Sequence, residues 1–180
     1  MSRIPAVDPA SATGSVKTML EGVHKGLGVT PNMFRVAAQS PSALEALTSF
    51  FGAVGKGHLD AKTREAIALT VSEIDRCDYC LSAHSLLGKG AGLTDDGLDA
   101  ARHAKSDDAR LDATLRFARA ITEKRGRIDP QDLADVRRAG LSDAQVLDVV
   151  ANVALTTFTN YLNEVAATDI DFPVVHHYAR

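Results

Sequence analysis

"EAIALTVSEIDRCDYCLSAHSLLGKGAG" spans Glu65–Gly92 and holds both cysteines of the chain, Cys77 and Cys80. Up to Ile74, apolar and small side chains occupy so much of the circumference that this segment, as a helix, must be largely buried. A second helix starts after it, with Asp75 as the expected N-cap and glycines 88, 90 and 92 at its end. In that second helix Cys77, Cys80 and His84 stand at i, i+3 and i+7, which 3.6 residues per turn place on one face. Cys77 falls in the expected first turn, where free N–H groups and the helix dipole favour a thiolate. Cysteines three apart at a helix start can close a disulfide, and His84, one turn past Cys80, can exchange a proton with its sulfur. Glu65 sits in the preceding helix in apolar company, a setting suited to acid/base work. If the two helices pack as a hairpin, its carboxylate can reach the imidazole. These residues alone allow a reactive dithiol, a zinc site, or a joint with two small buried hydrophobes. Zinc is the weaker reading: structural sites draw paired ligands from separate loops, and no second C-x-x-C or H-x-x-x-H exists.

Outward from this joint the chain reads as helical throughout. It has 180 residues, 45% hydrophobic and 24% charged, an ordinary balance for one domain. Residues 1–14 form an extended lead-in, 15–167 a helical domain and 168–180 an extended tail. Helix starts are expected at Ser15, Thr30, Ser40, Asp60, Thr94, Asp129 and Ser142, several followed by proline in the first turn. Long stretches lack strand-type alternation. "GHLDAKTREAIALTVSEI" and "AGLSDAQVLDVVANVALT" share the order turn, Leu, capping residue, apolar helix, which suggests two similar helical hairpins in one core; only the first carries cysteines. A formal net charge of −3 and the absence of a basic stripe argue against nucleic acid. No segment is apolar enough to cross a bilayer, and the start lacks a secretory pattern, so a cytoplasmic location is expected. In that compartment two close cysteines serve redox chemistry or metals rather than a permanent crosslink.

Glu65, eleven residues, Cys77-x-x-Cys80, three residues, His84: this spacing resembles the signature of the AhpD-like alkylhydroperoxidases of the carboxymuconolactone decarboxylase superfamily. "REAIALTVSEIDRCDYCLSAH" is most similar to the branch called peroxidase-related proteins, and a looser likeness extends over roughly residues 30–165. The resemblance implies an all-α, single-domain AhpD-like bundle with the C-x-x-C at a helix start. It implies assembly into homo-oligomers, as dimer, trimer or hexamer, and no cofactor or metal. By position it implies that Cys80 is the peroxidatic cysteine, that His84 and Glu65 relay its proton, and that Cys77 resolves the sulfenic acid as an intramolecular disulfide. The implied substrate is an organic hydroperoxide, and the implied reductant a cellular dithiol such as a lipoylated protein. Well-studied members have a histidine just before the second cysteine; here it is Tyr79, a possible site-lining residue. A phenol with a pKa near ~10 is no base at neutral pH, though it can donate a hydrogen bond. Alternative functions are a dithiol–disulfide oxidoreductase with little peroxidase activity and a non-catalytic redox sensor.

Two further groups stand out. Asn160 and Asn163 share one side of the last helix within an apolar stretch, suited either to hydrogen bonds near the site or to a subunit contact. His176 and His177 are adjacent on the tail, where an extended backbone would point them apart.

Overall fold

The computed structural model describes residues 2–179. Among them are nine α-helices and no strand: α1 (Gly14–Leu27), α2 (Asn32–Ala37), α3 (Pro41–Val54), α4 (Ala61–Asp75), α5 (Asp78–Gly90), α6 (Asp95–Arg102), α7 (Ala109–Glu123), α8 (Pro130–Arg138) and α9 (Asp143–Ala166). The expected all-α, single-domain class holds. Side chains at the helix starts accept otherwise unpaired backbone N–H groups: Ser40 from Ala43, Asp60 from Thr63, Thr94 from Gly97 and Ser142 from Gln145. Three expected starts shift. α1 begins at Gly14 behind Thr13, and α2 at Asn32 behind Pro31. Asp75 is the last residue of α4, and Cys77 itself caps α5.

α4 is the axis of the molecule. It packs against α5, α6, α7 and α9. That is why seven consecutive residues, Ala66–Ser72, are buried on every face of the helix. One apolar cluster surrounds its middle, with Leu69, Leu115, Val136 and Val149 among its members. A second lies under α1–α3 and the latter half of α9; it includes Leu20, Phe34, Leu44, Leu47 and both cysteines. Fully buried leucines such as Leu44 and Leu47 each contribute about 1.5–3 kcal/mol through removal from water. The α4–α5 joint therefore sits on the seam between the two clusters.

The two sequence echoes become α4 and α9. Each follows a buried leucine, Leu59 or Leu141, and a side-chain cap. The second hairpin does not form. α8 packs on α7, while α9 runs as a 24-residue rod against α4. The tail after α9 is extended but not loose. The Asp171 carboxylate meets the Tyr79 hydroxyl at 2.8 Å, and the Val175 N–H donates to Ser82 at 2.9 Å. The Tyr178 N–H donates to Glu73 at 2.8 Å, with the Arg102 guanidinium 3.7 Å over its ring. The tail is thus a strap along α5. No helix among the described residues is long and apolar enough to cross a membrane.

Candidate active site

Arg76 makes the joint. Its left-handed backbone (φ 58°) stops α4, and the chain turns at once into α5. Cys77, as N-cap, accepts the Cys80 backbone N–H on its sulfur at 3.3 Å. Cys80 then lies in the first turn of α5, where the dipole favours negative charge. This corrects the expectation that gave Cys77 that position. The two sulfurs are 2.7 Å apart, with the Cys77 thiol donating to Cys80.

The four residues singled out in the sequence come together. His84 Nδ1–H donates to Glu65 Oε2 at 2.7 Å, with side chains 15% and 20% exposed. Gly88 lies one turn beyond His84. A Cβ there would lie 2.8 Å from the Leu98 side chain and 3.0 Å from that of Leu93, but at an ordinary 3.7 Å from the Glu65 Cβ. The bare backbone thus lets α5 lie close to Leu93 and to Leu98 of α6. Among the described residues no three His, Cys, Asp or Glu side chains are grouped to hold a metal.

The electrostatics separate the two thiols. Burial raises the Cys80 pKa, but it is outweighed by the hydrogen bond from Cys77, the charge of His84, and hydrogen bonds from Asn163 and Thr159. The net direction is down. For Cys77 the hydrogen bond it gives to Cys80, then burial, push the other way, so it stays protonated. Burial alone would lower the His84 pKa; the charge and hydrogen bond of Glu65, and then Cys80, turn it upward. Together these shifts favour a Cys80 thiolate beside a His84 imidazolium.

Tyr79 lines the same cavity but its hydroxyl is committed. It donates to Asp171 and accepts the Met33 N–H at 3.1 Å, and the ring meets Phe172 edge-on at 5.5 Å. Burial, opposed by the Met33 N–H and reinforced by Asp171, pushes the phenol pKa up. Tyr79 is a strut between α5, α2 and the tail.

α9 supplies groups that the sequence left unassigned. Asn163 Nδ2 donates to Cys80 Sγ at 3.3 Å, while its buried Oδ1 has no partner among the described residues. One turn earlier, Asn160 accepts from Ser72 at 3.2 Å and donates to Asp75 at 2.8 Å, bracing the end of α4. Asn163 thus follows the first alternative, a hydrogen bond at the site, while Asn160 braces the fold within the chain, a role neither alternative named. Their signal was two amides at helical spacing inside an apolar stretch. The histidines of the tail do not point apart. His176 Nδ1 meets Asp78 Oδ2 at 2.7 Å, and His177 Nδ1 meets Oδ1 at 2.8 Å, wrapping the carboxylate inside the C-x-x-C.

Cys80 and His84 open onto a cavity of about 700 Å³, walled by α1, α3, α5 and Phe172 of the tail. Its size suits a small-molecule ligand. Cys77 is fully buried and does not line it. Two sulfurs of opposed acidity thus lie together, one of them facing an apolar cavity beside an imidazole–carboxylate pair.

The model of the carboxymuconolactone decarboxylase family matches residues 41–124. The fold is similar to the AhpD core of an uncharacterized peroxidase-related protein from Ralstonia eutropha JMP134 (TM-score 0.85, 23% identity, 94% of this chain and 92% of that one). It is similar also to a peroxidase-related protein from Silicibacter sp. TM1040 (0.81, 24%, 92% and 88%). A third similar structure is the debrominase Bmp8 in complex with 2,3,4-tribromopyrrole (0.79, 21%, 93% and 91%). An uncharacterized protein of Haemophilus influenzae is 48% identical over 48 residues, 26% of this chain and 42% of that protein. The chain thus spans less than half the length of that curated relative. Residues 41–124 are thus similar to the carboxymuconolactone decarboxylase family, and the fold is that of the AhpD core.

Proposed function

We propose that the protein is a thiol-dependent peroxidase that reduces organic hydroperoxides. One observation carries the reading: the sulfur with the lowered pKa, Cys80, is the one that faces the cavity, and its protonated partner Cys77 lies 2.7 Å behind it. The Cys80 thiolate attacks the distal peroxide oxygen. The O–O bond breaks, Cys80 becomes a sulfenic acid, and the leaving alkoxide takes a proton from the His84 imidazolium, which Glu65 orients. Cys77 then condenses with the sulfenic acid, forming the disulfide and releasing water. A cellular dithiol, such as a lipoylated protein, returns both sulfurs to thiols and becomes a disulfide.

The peroxidase-related neighbours of like fold support this reading at the level of class. A second reading is favoured by the apolar cavity and the tribromopyrrole complex of a neighbour. In it, Cys80 takes a halogen from an aromatic ring, the ring takes a proton, and Cys77 expels halide as the disulfide forms. A cytoplasmic location would supply the dithiol that either cycle requires. Homo-oligomeric assembly is part of the proposal. Leu147, Val150, Tyr161 and Val165 are exposed at spacings that align them along one side of α9, a charge-free stripe suited to a second copy.

The test is peroxide consumption with dithiothreitol as donor. Wild type turns over, Cys80→Ser does not, and Cys77→Ser forms a sulfenic acid once without cycling. Sustained turnover by Cys80→Ser would refute the assignment of the nucleophile. Bromide release from a bromopyrrole without peroxide consumption would favour the second reading.

A further inference from the structure

The α1 face that borders the cavity is Met19, Gly22, Val23, Gly26 and Leu27. These positions follow helical spacing, so this whole face is given to the cavity, and Leu20 is the only residue of α1 that is buried. Two of the five are glycines inside a helix, where glycine is disfavoured. Gly52 of α3 lines the cavity as well. A Cβ at Gly22, Gly26 or Gly52 would meet no atom within 4 Å. Close packing therefore does not require these glycines, unlike Gly88; each leaves room where a side chain would stand in the cavity.

The cavity wall also lacks charge. Among the described residues no Lys, Arg, Asp or Glu lines it, and the one basic ring there, His84, is already paired with Glu65. A ligand bearing a carboxylate would bury it without a counter-ion. Hydrogen peroxide would leave the apolar walls wet. Phe34, Phe51, Leu87 and Phe172 instead offer contact to a large apolar body, with the reactive sulfur at its edge.

We propose that this cavity binds bulky, uncharged, apolar hydroperoxides, and that Gly22, Gly26 and Gly52 set the size of ligand it accepts. The proposal rests on the peroxidase reading of Cys80 for its chemistry but on the cavity for its selectivity.

Steady-state kinetics with dithiothreitol as donor compare hydrogen peroxide, cumene hydroperoxide, linoleic acid hydroperoxide and the methyl ester of that hydroperoxide. Cumene hydroperoxide and the ester should exceed hydrogen peroxide in kcat/KM by roughly tenfold or more, and the ester should exceed the free acid. Gly22→Leu and Gly26→Leu should cut the value for the ester far more than that for hydrogen peroxide. The Gly22→Ala/Gly26→Ala pair guards against misfolding: it should melt higher than wild type, because alanine favours helix, yet turn over the ester more slowly. Binding is read separately by calorimetry, with the methyl ester of the corresponding hydroxy acid titrated into Cys80→Ser. If no hydroperoxide is consumed but this ester binds, and Gly22→Leu abolishes binding, the peroxidase reading fails and the cavity proposal stands. Equal values for ester and free acid, or for cumene hydroperoxide and hydrogen peroxide, overturn the proposal. So does an absence of ester binding with glycine variants that change only self-association in light scattering. That result would mean a second copy covers the mouth at Leu27 and Val29.

Discussion

α4 and α9 start alike and end differently. Each leaves a buried leucine, takes a side-chain cap and runs apolar into the core. At Arg76 α4 breaks into a left-handed residue and restarts as α5, while α9 passes the corresponding position, Phe158, without interruption. The break exposes a fresh helix N-terminus and places Cys80 in its first turn. The unbroken helix lies alongside and lends its side chains to the gap: Asn160 to Asp75 and Asn163 to Cys80. Reactive groups thus come from the broken arm and bracing groups from the continuous one. A site needs both, since a helix start buried without partners would leave its polar groups unsatisfied.

The largest effect should come from the broken arm. Glu65→Gln keeps the shape of the side chain but removes the charge that holds the His84 pKa up. With less imidazolium at neutral pH, the Cys80 thiolate loses a partner. Peroxide turnover at pH 7 should fall roughly 10²-fold, the scale of positioned acid–base catalysis. The acid limb of the pH–rate profile should move to higher pH as the Cys80 pKa rises. The stability signature has a definite sign. A histidine whose folded pKa lies above its unfolded value of about 6.5 gives stability that is complete below that pH and is lost as pH rises through the folded value. Glu65→Gln should therefore lower the melting temperature more at pH 6 than at pH 9. An equal loss at both would detach the carboxylate from the imidazole's protonation.

On the continuous arm the two asparagines should separate stability from reactivity. Asn160 is fully buried with both amide atoms bonded. Asn160→Ala orphans Ser72 and leaves Asp75, whose pKa burial already raises against the Asn160 bond, without a donor. A loss of about 3 kcal/mol in denaturant unfolding is expected. Asn163 already carries an unpaired carbonyl, so Asn163→Ala should cost far less stability. Its effect falls on Cys80: losing the amide donor raises the Cys80 pKa, so iodoacetamide labelling near neutral pH should slow. Thiolate absorbance against pH reads this without any peroxide. If Asn163→Ala leaves that titration unmoved, the amide is only packing.

Much of this was legible in the sequence because it is local. The helical pattern, most of the caps and the Cys77, Cys80 and His84 spacing depend on neighbours in the chain. Glu65 was legible because a buried helix followed by a short turn has few ways to fold back. The missed features are tertiary or backbone in origin. Nothing in the letters of Arg76 announces a left-handed residue, so the start of α5 was placed at Asp75 rather than at Cys77. Strand alternation, which assumes extended backbone at both residues, sets the tail histidines apart, whereas Asp78 draws both inward. The asparagines stood out as polar residues in an apolar stretch, but assigning them needed the packing of α9 on α4.

Gly88 tests how tightly the broken arm must close. Gly88→Ala forces a methyl group to within 2.8 Å of Leu98, and overpacking of this kind costs about 1–3 kcal/mol. Part of that strain should be relieved by α5 moving off α6, which displaces His84 relative to Glu65. Turnover should then fall together with stability, and the pH profile should shift toward that of Glu65→Gln.

The smallest effect concerns the break itself. Arg76 holds φ at 58°, a conformation that costs an L-residue roughly 1 kcal/mol and glycine almost nothing. If the break is a property of the packing, Arg76→Gly should stabilise the protein by up to about 1 kcal/mol and leave thiol reactivity intact. The matching change in the continuous arm, Phe158→Gly, puts glycine where the helix must continue and should destabilise by about that amount from backbone entropy alone, with lost side-chain burial added. Opposite signs at these two corresponding positions would establish that α4 is broken by its surroundings and α9 kept whole by them. If Arg76→Gly instead destabilised, the arginine side chain would have to hold the turn, and the joint would owe its shape to that residue rather than to the close approach of α4 and α5.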